Sequence, residues 1–166
     1  MGANMTTRLL GGGHEIVAHD RSEEAIQGAV TGGAEGADSL AAVVDALSAP
    51  RVVWVMVPSG DPTQQTIEAL AGLLKPGDTV IDGGNSNYKE TVKRGEMLAE
   101  SDIHFVDVGT SGGVWGLKEG YSLMIGGDDS AVKALQPIFE TLAPGAELGW
   151  GHVGPTGAGH FTKMIH

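Results

Sequence analysis

The 166 residues predict an α/β domain: a doubly wound, mostly parallel sheet with helices on both faces. Three observations carry this. Short apolar runs alternate with helix-patterned segments along the whole chain. The 27 glycines have no fixed period and cluster at the ends of those runs, where such a fold turns between elements. The run Val52-Val53-Trp54-Val55-Met56-Val57 is almost continuously apolar, the pattern of a strand buried on both faces.

Taken in order, the chain opens inside a helical pattern. Met1, Met5, Leu9 and Leu10 recur at helical spacing until Gly11-Gly12-Gly13 stops the run. Residues 15–19 read as a short strand ending at Asp20. Ser22 then caps a helix through about residue 30, because its hydroxyl oxygen can accept from the first unpaired amides. Residues 34–37 are a short strand candidate and 39–47 a short helix. After strand 52–57, the turn Pro58-Ser59-Gly60-Asp61-Pro62 leads into a helix to residue 74. Pro76-Gly77 turns the chain into strand 79–82. A helix over 88–100 and strands over 103–108 and 123–125 follow, then a helix over 129–142 and a last strand over 146–150. Pro155-Thr156-Gly157 opens the final helix. No strand precedes the opening helix, so the sheet is expected to lack its first strand. With no internal repeat or linker, residues 1–166 read as one domain, incomplete at its N-terminus.

Composition narrows the function. The net charge is −11, from 10 basic and 21 acidic residues, which argues against nucleic acid or an anionic membrane as partner. An anionic substrate must therefore be held by a few well-placed donors. There are no cysteines, hence neither a disulfide framework nor a thiolate metal site. No apolar stretch approaches the ~20 residues of a membrane span, and the first residues do not read as a signal peptide; a cytoplasmic location is expected. His14, His19, His104, His152 and His160 have no metal-ligand spacing and read as structural or exposed.

Four motifs carry chemistry. Asp20-Arg21-Ser22 follows the second strand of the expected fold, where a carboxylate accepts from the adenosine ribose hydroxyls of a dinucleotide. Gly2, 18 residues earlier, fits the last glycine of the phosphate fingerprint. Asp20 equally fits a turn acid that starts a helix. Ile81-Asp82-Gly83-Gly84-Asn85-Ser86 sits directly after a strand, where open α/β sheets bind ligands, and the Asn85 amide both donates and accepts; a plain polar turn is the alternative. In Asp107-Val108-Gly109-Thr110-Ser111-Gly112-Gly113, a hydroxyl and open backbone amides suit a carboxylate; a glycine-rich loop without a ligand reads as well. Finally, Gly157-Ala158-Gly159-His160-Phe161-Thr162-Lys163-Met164-Ile165-His166 puts Lys163 and His166 on one helix face. A lysine desolvated in a cleft can serve as a base, whereas most lysines are simply at the surface.

In this order the four motifs resemble the 6-phosphogluconate dehydrogenase family, over almost the whole chain. The Ser-Gly-Gly loop and the Gly-x-Gly-x-x-x-Lys helix are shared with the wider β-hydroxyacid dehydrogenase superfamily. Asp82-Gly83-Gly84-Asn85-Ser86 and His160-Phe161-x-Lys163-Met164-x-His166 are narrower and favour the phosphogluconate branch. The resemblance implies a Rossmann-type dinucleotide-binding domain of a decarboxylating, NAD(P)-dependent oxidoreductase of the pentose phosphate pathway. It implies that Lys163 is the general base and that Asn85, Ser111, Gly112, Gly113 and His166 bind substrate. Gly2, Asp20, Arg21, Ser22, Val57, Pro58, Ser59 and Asn85 are implied to line the cofactor. The family's glycine fingerprint is expected to be cut before Gly2, and its enediol-protonating glutamate and its helical C-terminal domain, which binds the substrate phosphate and forms the dimer, are not in these residues. This chain alone is therefore expected to be inactive, and the full-length parent a homo-oligomer.

Family members that use NADP tend to have a neutral residue before the arginine. Here the pair is Asp20-Arg21, so NAD is the expected cofactor and NADP the alternative. Two other functions compete: a 3-hydroxyacid dehydrogenase of the same superfamily, whose members usually lack the Asp-Gly-Gly-Asn-Ser run, and a non-catalytic nucleotide-binding module.

Overall fold

The computed structural model describes residues 1–165. Helix α1 (Gly2–Gly11) is followed by β1 (Val17–Ala18), α2 (Glu23–Thr31), β2 (Glu35–Gly36) and α3 (Leu40–Ala46). Then come β3 (Val52–Val55), α4 (Asp61–Leu73), β4 (Thr79–Asp82), α5 (Tyr88–Ala99) and β5 (His104–Ser111). A 3-10 turn (Gly113–Trp115) and the short α6 (Gly116–Glu119) lead to β6 (Ser122–Gly126), α7 (Asp129–Ala134), α8 (Gln136–Leu142), β7 (Trp150–Gly154) and α9 (Ala158–Ile165).

The strands form two sheets. One has five strands in the order β3-β4-β5-β6-β7, and the other is the parallel pair β1-β2. All neighbours are parallel except β5 and β6, which run antiparallel from Asp107↔Gly126 to Ser111↔Ser122. Strand β3 ends the larger sheet, and no strand among the described residues joins it to the β1-β2 pair. That is how a doubly wound sheet looks with its first strand missing. It also explains why β3 is only partly buried except at Val55, against the expectation of burial on both faces.

The inner strands are covered on both sides. Val80 and Phe105 face one core, with Ile67 and Leu70 of α4 and Leu98 of α5. Their neighbours Ile81 and Val106 face the other, with Met5 of α1, Val132 of α7 and Phe139 of α8. This is the period-two alternation of a strand sandwiched between helical layers.

Several expected boundaries move. Strand β5 continues through Gly109-Thr110-Ser111, which the sequence suggests are loop, because β6 supplies an antiparallel partner. The expected helix over 129–142 breaks at Leu135, one residue before α8 restarts with a proline in its first turn. The last strand lies at Trp150–Gly154 rather than 146–150, paired with β6. Arg8 was not singled out by the sequence, yet it fastens α1 to the end of α8, with Nε donating to Thr141 O (2.8 Å) and Nη2 to Ala143 O (2.7 Å).

Asp78 fastens the starts of β3 and β4. Its carboxylate is buried and accepts from the amides of Arg51 (2.7 Å) and Lys75 (2.8 Å), with the Arg51 guanidinium at 3.4 Å. Burial pushes this carboxyl up, but the Arg51 and Lys75 amides and the Arg51 side chain outweigh it, leaving it below its ordinary 3.8. A lowered folded pKa adds stability that is present above the unfolded value of about 3.9 and is lost as pH falls through the folded value. Asp78→Asn is expected to cost about 1–3 kcal/mol at pH 7, the usual effect of disturbing a buried hydrogen-bonded group. Urea melts should show the gap between parent and variant narrowing below about pH 4. A gap equal at pH 7 and pH 3 would show that the charge contributes nothing.

Candidate functional site

The registers Val55↔Asp82 and Asp82↔Asp107 bring the C-terminal ends of β3 and β4 and the middle of β5 to one edge of the sheet. Two aspartates stand side by side there, both fully buried. A buried carboxylate is costly unless it is paired and hydrogen-bonded, and both are. Asp82 Oδ2 accepts from Ser86 Oγ (2.6 Å) and Oδ1 from Gly84 N (3.0 Å), which folds the Gly83-Gly84-Asn85 turn back over the strand end. The buried Arg94 of α5 faces the same carboxylate at 3.9 Å and is itself held by Gln64 Oε1 (2.7 Å).

Asp107 accepts from the amides of Gly157 (2.8 Å) and His160 (2.9 Å). These are unpaired amides at the start of α9, so the carboxylate both satisfies the donors and complements the helix dipole. Helix α9 then lies close on the sheet. A Cβ at Gly159 would collide with the Met124 carbonyl, and one at Gly109 would sit 2.5 Å from Lys163 Cβ. Lys163, half-buried, is thus seated directly over β5, two residues before Ser111. Among the described residues no carboxylate pairs with its ammonium.

The loop after Ser111 rests on the buried Tyr121 ring, which a Cβ at Gly116 would strike. Gly113 has φ 50°, a conformation that suits glycine. The turn at Val57-Pro58-Ser59 abuts the Asp82 turn, since a Cβ at Gly84 would lie 3.2 Å from the Val57 carbonyl. Gly2 begins α1 beside the end of β3, with Met56 Cβ 3.7 Å from where its own Cβ would be.

The structure therefore gathers Gly2, Val57-Pro58-Ser59 and Asn85 around the ends of β3 and β4, and sets Lys163 over Gly109 of β5, the strand that runs on to Ser111. Asp20-Arg21-Ser22 lie apart, exposed at the end of β1 in the smaller sheet. Asp20 does hold the turn into α2, since its Oδ1 accepts from Ser22 N (2.8 Å), and Ser22 Oγ caps Ala25 N (3.3 Å). His166 lies outside the described residues. The sequence does not single out Thr91 and Arg94, nor the bonding roles of His160, Asp82 and Asp107, though it allows His160 a structural place. The available signal was an aspartate within or at the end of each of two apolar runs, since a carboxylate there must find buried partners.

The side chains divide cleanly. Those of Asp82, Ser86, Thr91, Asp107 and His160 are committed to internal bonds. The side chains of Asn85, Ser111 and Lys163 make none among the described residues. Residues 1–153 match the family described as the NAD binding domain of 6-phosphogluconate dehydrogenase. The chain belongs to this family.

A relative in Haloferax volcanii, named 6-phosphogluconate dehydrogenase, NAD(+)-dependent, decarboxylating, is 44% identical over all 166 residues. The chain spans 54% of that relative's length. In solved structures, 6-phosphogluconate dehydrogenase from Plasmodium falciparum superposes with a TM-score of 0.90 at 26% identity, over 100% of this chain and 37% of that one. 3-Hydroxyisobutyrate dehydrogenase from Mycobacterium tuberculosis gives 0.89 at 26%, over 99% and 55%. The expected Rossmann-type fold and family are thus found. As an NAD-binding domain, the chain offers residues that fit a dinucleotide at both ends. One Asp20 oxygen is held by Ser22 while the other has no partner among the described residues, and Gly84, without a side chain, lies between the Val57 carbonyl and the Asp82 carboxylate. No helix among the described residues is long and apolar enough to cross a membrane.

Proposed function

We propose that the full-length protein carrying this chain is a cytoplasmic enzyme that oxidatively decarboxylates 6-phosphogluconate to ribulose 5-phosphate with NAD. The observation that carries the reading is Lys163, held over Gly109 of β5 by an aspartate-capped helix, on the sheet whose strands β4 and β5 lead to Asn85 and Ser111. Asp20, Arg21 and Ser22 would hold the adenosine ribose; Gly2, Val57, Pro58, Ser59 and Asn85 would line the rest of the dinucleotide. When bound, the cofactor supplies the hydride acceptor. Lys163 Nζ takes the proton of the substrate 3-hydroxyl as the C3 hydride departs. It then returns a proton to the keto oxygen as carbon dioxide leaves, which stabilises the enediol. Asn85, Ser111, Gly112, Gly113 and His166 would hold the sugar acid. Residues 1–166 form the dinucleotide-binding part, and a helical domain beyond them would bind the substrate phosphate and make the dimer.

The full-length protein should form NADH and release carbon dioxide with 6-phosphogluconate. Turnover of 3-hydroxyisobutyrate instead, without carbon dioxide, would move the assignment to the wider superfamily, and no turnover of either would leave a binding module. Asp20→Ala should shift preference toward NADP. The exposed carboxylate opposes a 2′-phosphate by about 1 kcal/mol at ~4 Å in water-like surroundings, roughly a five-fold change in the ratio of kcat/KM values. An unchanged ratio would place Asp20 away from the ribose.

A further inference from the structure

We infer that His160 is a positioning residue that sets the distance between the Asn85 turn and Lys163, with Thr91 as its partner. This rests on the function proposed above. His160 is 3% exposed and reaches three elements at once. Its amide donates to Asp107 Oδ2 on β5 (2.9 Å). Its Nε2 lies 3.1 Å from the Asp82 carbonyl at the end of β4. A carbonyl only accepts, so Nε2 carries the hydrogen. Its Nδ1 lies 2.7 Å from Thr91 Oγ1 on α5. The Thr91 and Asp82 contacts on opposite sides of the ring together fix the ring plane.

The geometry has a direct consequence for the site. Lys163 is one helical turn beyond His160, and Asn85 is three residues beyond Asp82. The imidazole therefore ties the helix that carries Lys163 to the strand end that leads into the Asn85 turn. A residue that merely filled the core would need no nitrogen there, and burying an imidazole is costly unless its nitrogens are bonded. Both are. Thr91 is fully buried, so its hydroxyl meets only this ring and the nearby Asn87 carbonyl, to which it donates (3.1 Å).

The test uses the full-length protein with three variants. His160→Leu removes both ring bonds, Thr91→Val removes the Nδ1 partner, and His160→Gln keeps a donor able to reach the Asp82 carbonyl. A misplacement of about 1 Å costs on the order of 10²-fold in rate. His160→Leu should accordingly lose about that much kcat, with NAD affinity within about twofold of the parent. The isotope effect with 3-deuterated substrate should rise, because hydride transfer becomes limiting. His160→Gln should recover most of the loss, and Thr91→Val should fall between. Backbone hydrogen exchange should quicken at residues 83–86 and stay unchanged at 17–36.

Turnover within twofold of the parent in all three variants, with unchanged exchange at 83–86, would overturn the inference. So would an equal loss of NAD affinity, which would mean general loosening. If His160→Leu does not fold, Thr91→Val and His160→Gln decide by the same criteria. If the parent does not oxidise 6-phosphogluconate, the proposed function fails, and exchange at 83–86 alone decides whether His160 holds the turn.

Discussion

In the full-length protein, Lys163→Met is expected to keep the fold and cofactor binding while losing about 10²–10⁴-fold in turnover, the usual contribution of a positioned acid–base group. The fold should survive because Lys163 makes no hydrogen bond or ion pair among the described residues, and the methionine side chain can follow the same path over Gly109. Cofactor binding should survive because the residues assigned to it sit at the start of α1, between β1 and α2, after β3 and on the Asp82 turn. What is lost is the one group placed to exchange a proton with the substrate hydroxyl and then with the keto oxygen. Lys163→Arg separates charge from chemistry. It keeps the positive charge, but a guanidinium holds its proton, so it should be nearly as damaging as methionine. The measurement is kcat at saturating substrate, with NAD and substrate affinities determined separately. Turnover of Lys163→Met within a few-fold of the parent would remove Lys163 from the chemistry and with it the proposed mechanism.

Much of the fold is legible because its inner strands centre on short apolar runs, Val80-Ile81 in β4 and Phe105-Val106 in β5. Strand β4 was read to the residue, and α4 and α5 to within a residue or two, because the 3.6-residue period of those helices contrasts with the run between them. The glycine-rich strands were not. Gly109 and Gly151 carry no side chain to show a period, and only pairing with β6 makes their segments strands. The site divides along the same line. Residues meant for a ligand stand in motifs that read directly from spacing: Asn85, Ser111 and Lys163. Residues that hold those in place do so through burial and contacts across 50 to 78 positions, as in Asp107 to Gly157 and Asp82 to His160. No local pattern encodes such contacts. His160 is the instructive case, since a histidine without metal spacing reads as structural or exposed, and only its two buried ring contacts give it a task.

Gly159→Ala is expected to destabilise the protein and lower its turnover, although alanine normally favours a helix over glycine by about 0.5–1 kcal/mol. The reason is what surrounds the position. A Cβ there would collide with the Met124 carbonyl and lie 2.7 Å from Asp107 O and 2.9 Å from Gly126 N. All three are backbone atoms of paired strands, so none can rotate aside, and α9 itself must lift. Overpacking of this kind costs about 1–3 kcal/mol. Lifting α9 also stretches the Asp107 bonds to Gly157 and His160 and carries Lys163 away from Ser111, so kcat should fall with stability. Gly28, on the exposed face of α2, is the control. A Cβ there meets no heavy atom within 4 Å, so Gly28→Ala should raise stability by about 0.5–1 kcal/mol and leave turnover unchanged. Thermal melts and steady-state rates of the two full-length variants give opposite signs if α9 rests on bare backbone at Gly159. A Gly159→Ala protein as stable and as active as the parent would mean that the helix sits farther from β5 and β6, and that the seat assigned to Lys163 is misplaced.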